Sequence, residues 1–385
     1  MIWLLLALAA ATGLAGAAFA AMVYRKNMQY WLPSYCVPAE TAAKPNPDGL
    51  HHVFIAVCDH WEPSNELAAR DVAMAKVDRW ARAYPELYRD FKDSDGRPPQ
   101  HTFFYPQEEY LPEHIDRIGE LCRQGFGDVE VHLHHDKDTP LAFEEKLSQF
   151  RDVLFHRHGL LRRDPRSGAV TYGFIHGNWS LCNSHPDGVD CGVDHEIPIL
   201  KRTGCYADFT MPSAPDPTQT STINSIYYAR DIPGRRKSHD KGLRARVGQQ
   251  APADYLLMVQ GPLVLDWRNR QLGLLPRIEN GDIVAGRPMS VTRMECWLRA
   301  GIHVRGQPNW QFVKLHTHGC KDGNIEAWLG GEMVQFHRDL AMMARERPKL
   351  RYHYVTAWEM AQLVHQAEAG QSVPRIQPDA KAAAK

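Results

Sequence analysis

Residues 53–58, Val-Phe-Ile-Ala-Val-Cys, form an unbroken apolar run of strand length, which predicts a strand buried on both faces. Beyond Pro63-Ser64, the side chains of Leu67, Met74, Val77, Ala81 and Tyr84 fall on one stripe of 3.6-residue period, predicting a helix closed by Pro85. The pattern then repeats. A strand is predicted over 101–105, then a helix with Ile115, Ile118, Leu121 and Cys122 on one face, stopped at Gly125. Next come a strand over 128–133 and a helix opened by Thr139 as N-cap and Pro140 in the first turn, carrying Phe143, Leu147, Phe150 and Leu154. Further strands are predicted over 171–175, 206–210, 255–259, 312–315 and 352–355, with helices near 193–203, 291–300, 328–346 and 357–367. Residues 213–250 break the rhythm, and their Arg235-Arg236-Lys237 and Arg244-Ala245-Arg246 clusters are expected on an exposed loop.

Sustained alternation of strand and helix implies parallel strands. The expected fold is α/β, a distorted (β/α) barrel of seven or eight parallel strands over residues 51–368, since closure removes sheet edges. An open doubly wound sheet is the alternative. Ahead of the barrel, residues 2–24 carry no charge and are long enough to cross a bilayer. Because a basic leader is missing, a retained transmembrane helix over 1–24 is expected in preference to a cleaved signal. Arg25 and Lys26 would place the domain on the cytoplasmic side, two charges that leave the exported side open. Residues 25–50 are then a tether and 369–385 a disordered tail.

Charge is balanced, with 45 Lys+Arg against 45 Asp+Glu, so the chain lacks the cationic excess that nucleic-acid binding requires. The eight Cys show no Cys-x-x-Cys pair and are expected as buried thiols, with a Cys182–Cys191 disulfide as the other possibility. The twenty His change the picture more, because they cluster just where strands end. In a parallel barrel the ligand site lies at those ends. The first strand runs out in Cys58-Asp59-His60-Trp61-Glu62, the third in His132-Leu133-His134-His135-Asp136, the fourth in His176-Gly177-Asn178-Trp179 and the seventh in His316-Thr317-His318-Gly319.

Residues i and i+2 of a strand share a face, so His132 and His134 can offer two imidazoles to one divalent ion, zinc foremost. Asp59 or His60 supplies a further ligand. If Asp59 binds, Glu62 is the base; if His60 binds, Asp59 is the base. His135 or Asp136 can substitute should the strand end at His134. His316, on the far side of the mouth, is the expected acid. Trp61, Trp179 and Trp267 are core or sugar-stacking residues, and His176, Asn178, His318, Arg277 and Glu279 are candidate substrate contacts.

With these residues at these strand ends, the chain resembles the polysaccharide deacetylases of the glycoside hydrolase/deacetylase superfamily over roughly residues 51–360. Where that family has two adjacent acids, this chain has Asp59-His60; where it has a spaced His pair, this chain has His132 to Asp136; its Leu-x-His motif on a late strand is met by Lys314-Leu315-His316. The resemblance implies a metal-dependent hydrolase that removes N-acetyl groups from a polysaccharide or other glycan, with His316 protonating the departing amine. Glycosidic cleavage by paired carboxylates, Asp59 with Glu62 or Asp136, is the first alternative. An inert, membrane-tethered glycan-binding protein is the second.

Overall fold

The computed structural model describes residues 2–37, 45–165, 167–271 and 273–376. In chain order the elements are α1 (Ile2–Arg25), α2 (Leu32–Cys36), β1 (His51–His60), α3 (Arg70–Tyr88), β2 (His101–Pro106), α4 (Pro112–Leu121), β3 (Gly127–Leu133), α5 (Pro140–Asp152), β4 (Arg162–Arg163) and β5 (Val170–His176). There follow α6 (Glu196–Arg202), β6 (Cys205–Asp208), β7 (Ile226–Ala229), β8 (Leu243–Arg244), β9 (Leu256–Val259), β10 (Val264–Gln271), β11 (Leu275–Glu279), α7 (Val291–Ala300), β12 (Trp310–Thr317), α8 (Asp322–Trp328), α9 (Gly331–Glu346), β13 (Leu350–Tyr354) and α10 (Ala357–Glu368). Each strand expected from an apolar run is present. Thr139 caps α5 by accepting the Ala142 N–H at 3.2 Å. Pro85 does not close α3: Tyr84 and Tyr88 are both buried, and that packing carries the helix past the proline.

The sheet is largely parallel, in the order β12-β1-β2-β3-β5-β6-β9-β7-β8, with β13 paired to the first half of β1 and β4 to β5. The barrel expected from the alternation does not close as a ladder. The edge of β9 that would face β12 is taken by β7, which lies antiparallel to it, and β7 comes from the stretch that broke the rhythm. Across the gap Lys314 Nζ reaches the Met211 carbonyl at 3.1 Å, and the Gly261 N–H reaches the same oxygen at 3.0 Å. The basic clusters are tied down as well: Arg236 donates to the Asn183 carbonyl at 2.9 Å and Lys237 to that of Gln219 at 2.6 Å.

The transmembrane anchor is a second correction. Among the described residues no helix is long and apolar enough to cross a membrane. The large exposed apolar side chains described on α1 before its last turns are Leu14 and Phe19, set among alanines and glycines that contribute little transfer free energy. Its end is committed to the body, with Met22 and Val23 packed on Met28, Trp31, Leu263 and Leu265. The placement of the domain on one membrane side lapses with the anchor. The segment assigned as a tether begins with ordered residues, since Met28 and Trp31 are fully buried; 38–44, like 377–385 of the expected tail, lie outside the described residues. All eight Cys are free thiols, and only Cys36 is exposed.

β1 divides two cores. Phe54, Ala56 and Cys58 face the interior of the curved sheet with Phe104, Ile175, Phe209 and Phe312, whereas Val53, Ile55 and Val57 face the helices with Val77 and Trp80. This parity decides which residues at the strand end meet the site.

Candidate metal centre

His60 continues the interior face of β1 and is buried, and Glu62 lies buried just beyond it. The ladder sets Cys58 against His316 and Asp59 against Thr317, so His318 follows beside His60, with ring centroids 4.7 Å apart. From the β3 side the His132 ring lies 4.8 Å from that of His60, and the His134 ring 4.6 Å from that of His132. Ligand-type atoms of His60, Glu62 and His318 fall within 4.8 Å of one another, as do those of Glu62, His132 and His134. Glu62 belongs to both sets.

Hydrogen bonds fix how these rings are presented. His132 Nδ1–H donates to the Ile175 carbonyl at 2.8 Å, which leaves Nε2 bare at 3.2 Å from Glu62 Oε1. His134 lies between two carboxylates, with Nδ1 2.5 Å from Glu108 Oε1 and Nε2 3.4 Å from Glu62 Oε1. Burial disfavours its cation, but Glu108 and Glu62 outweigh burial and raise its pKa to about 10. Burial likewise works against Glu62 ionising, and His132 and His134 reverse that, holding its pKa well below the usual carboxylate range. His60 is neutral, pushed far down by burial and by His318 and His132, and its Nε2 is buried with no hydrogen-bond partner. An orphaned imidazole nitrogen, bare lone pairs and an ionised carboxylate at one point are a donor set that fits a divalent ion of the zinc type.

The wall opposite comes from the turn after β5. The Trp179 ring is 6.2 Å from His60 and 6.1 Å from His318. Asn178 and Trp179 have φ of 53° and 58°, a left-handed backbone that costs a bulky residue free energy and marks a position held by its surroundings. Gly177 is required here: a Cβ on it would fall 2.4 Å from the His134 ring.

Of the residues expected from sequence, His60, Glu62, His132, His134, His318 and Trp179 are brought together, and Asn178 lies exposed on the same turn. Asp59 is not among them. Its parity turns it toward the helices, where Oδ2 accepts from His101 Nε2 at 2.8 Å and Oδ1 from the Gly319 N–H at 2.7 Å. His316 sits one pleat deeper than His318, beside Cys58. Burial, with Lys314 beside it, disfavours its cation and lowers its pKa well below the usual imidazole value. Trp61 is fully buried against Phe103 and Tyr105 on the helix side. Glu279 is an internal partner of Arg293 and of Trp297 Nε1 at 2.8 and 2.9 Å, and Arg277 is exposed on the β10–β11 hairpin, as is Trp267. Asp136 is exposed and accepts the Asp190 N–H at 2.9 Å. His176 faces His135 in a separate buried cluster.

Glu108 was missed. It stands just past β2, in Pro106-Gln107-Glu108-Glu109, and inspecting the end of the second strand as closely as the others would have found it. Cys191 and Glu196 were missed as ligand-type residues too, because they come from an irregular loop and a helix start. Comparison with protein-family models and with curated proteins found no match to this chain.

Proposed function

We propose that this chain is a metal-dependent hydrolase acting on carbohydrate, removing N-acetyl groups from a polysaccharide or glycan. The observation that carries the reading is the convergence of His60, Glu62, His132 and His318 beside an exposed His134–Glu108 pair, at the strand ends and under an aromatic wall. Glu62 with His60, His132 and His318 would hold the ion. A bound zinc-type ion polarises an acyl carbonyl and acidifies a water. Glu108 and Glu62 hold His134 as a cation, so that its Nε2–H would protonate the departing amine, while the proton lost by the attacking water would pass to solvent. Trp179 offers a flat apolar face to a sugar ring. The acetylated substrate follows from the resemblance to the deacetylases.

Incubation of the zinc-loaded full chain with an N-acetylated glycan tests this by product. Free acetate without new reducing ends is expected, and chelation abolishes its release. New reducing ends would replace the reading with glycosidic cleavage, and a metal-loaded protein that binds glycan without turnover would leave an inert binder.

A further inference from the structure

A second group of ligand-type side chains lies apart from the mouth. His135 follows β3, His176 ends β5, Cys191 lies in the loop after β5 and Glu196 opens α6; all four are buried, and their ligand-type atoms fall within 4.8 Å of one another. The two imidazoles point Nε2 at Nε2, 2.8 Å apart, and Glu196 Oε1 is 2.9 Å from the first and 3.3 Å from the second. His176 Nδ1 faces the Gly177 carbonyl, which turns the Nε2 lone pair inward, whereas His135 Nδ1, 3.3 Å from Asp138 Oδ2, is buried with no hydrogen-bond partner. Glu196 Oε1 finds no hydrogen-bond donor although the residue is fully buried. Cys191 Sγ accepts N–H groups from Asn183 at 3.2 Å and Val193 at 3.3 Å, but burial and Glu196 push its thiol pKa up, so a bound cation is what would hold it as a thiolate. Two imidazoles and a carboxylate buried with their polar atoms within 3.3 Å of one another are costly unless a cation lies among them.

We propose that His135, His176, Cys191 and Glu196 form a second metal site, closed and four-coordinate, that holds a zinc-type ion structurally. Two nitrogens, one sulfur and one oxygen suit a borderline-soft divalent ion, and all four ligands are buried, whereas the mouth is bordered by the exposed Glu108 and Asn178. The site ties the ends of β3 and β5 to α6 across the loop that carries Trp179, a loop in which Asn178, Trp179, Cys182, Asn183 and Asp190 all have left-handed backbones. In the absence of long regular structure, an ion supplies the fixed geometry.

Cobalt loading of the full chain separates the two centres, because only the closed one contains a thiolate. Two ions per chain and a near-ultraviolet sulfur-to-cobalt charge-transfer band are expected. Cys191→Ser should lose the band and one ion, Cys182→Ser should keep both, and His132→Ala should lose the other ion while keeping the band. Metal-bound wild type without the band, or a band that survives Cys191→Ser, overturns the proposal. One ion with the band in wild type supports the closed site and removes the ion from the proposed hydrolase centre. Should Cys191→Ser fail to fold, zinc-edge X-ray absorption of wild type decides: a sulfur at about 2.3 Å supports the site, and a shell of only nitrogen and oxygen overturns it.

Discussion

Asp59 lies 2.8 Å from His101 on the opposite face of β1 from His60, and the two neighbours in sequence therefore serve different sides of the sheet. Asp59→Asn, which keeps an acceptor for the Gly319 N–H, is expected to retain metal at wild-type stoichiometry. Glu62→Gln is expected to weaken metal binding by about tenfold or more. Elemental analysis after dialysis checks both. Asp59→Ala leaves buried groups unpaired and should cost about 1–3 kcal/mol of stability, read from urea unfolding.

The His134–Glu108 pair leads to a kinetic prediction. His134→Gln and Glu108→Gln should lower turnover by about 10² to 10⁴, the usual range for a general acid-base group, without loss of the ion bound by Glu62. His316→Asn should change turnover far less. Steady-state rates on the acetylated glycan, alongside metal content, separate the three variants.

Trp179 should act on binding more than on chemistry. Trp179→Ala is expected to raise KM by about tenfold, corresponding to roughly 1.4 kcal/mol of lost stacking, and to change kcat less. The same substitution should have little effect on a small acetylated substrate that lacks a sugar ring.

His337 supplies a pH dependence away from the site. It is buried in α9, with Nδ1 2.7 Å from Tyr354 Oη, and burial lowers its pKa to about 3. Between its ordinary value near 6.5 and about 3 the unfolded chain binds a proton that the folded chain does not. The stability from this residue is therefore complete above about pH 6.5 and is lost as pH falls, by up to about 1.4 kcal/mol per unit. Relative to His337→Phe, wild type should lose about 2 kcal/mol more between pH 7 and pH 5 in urea titrations, whatever the substitution does to absolute stability.

The strand and helix rhythm is legible because buried strands leave apolar runs and the helices leave stripes; residues 53–58 and the Thr139-Pro140 helix start are examples. The choice between Asp59 and His60 is not. Both faces of β1 are apolar, so Val53 and Phe54 look alike, and a pattern without alternation carries no parity. Open closure was hidden for a similar reason: β7 is four residues long, and nothing in Ile226–Ala229 announces that it runs antiparallel. The strand-end rule did locate His60, Glu62, His132, His134 and His318 as a group, whereas Glu108 sits on a single turn with no pattern of its own. For Trp61 the core reading holds and the sugar-stacking one does not, a choice the periodicity could not make because the residue follows the strand.

β1 and β12 pair residue for residue from His52 with Trp310 to Asp59 with Thr317, although they come from opposite ends of the domain. While the protein is being synthesised, β1 must wait for nearly the whole chain with one apolar edge unpaired, a state open to misassociation. Glu62 and His60 can gain His318 only once that partner has left the ribosome. Any metal acquisition at the mouth would thus be a late event in the life of each molecule, and a chain cut short before β12 would carry most of the fold's residues without His318 at the candidate site.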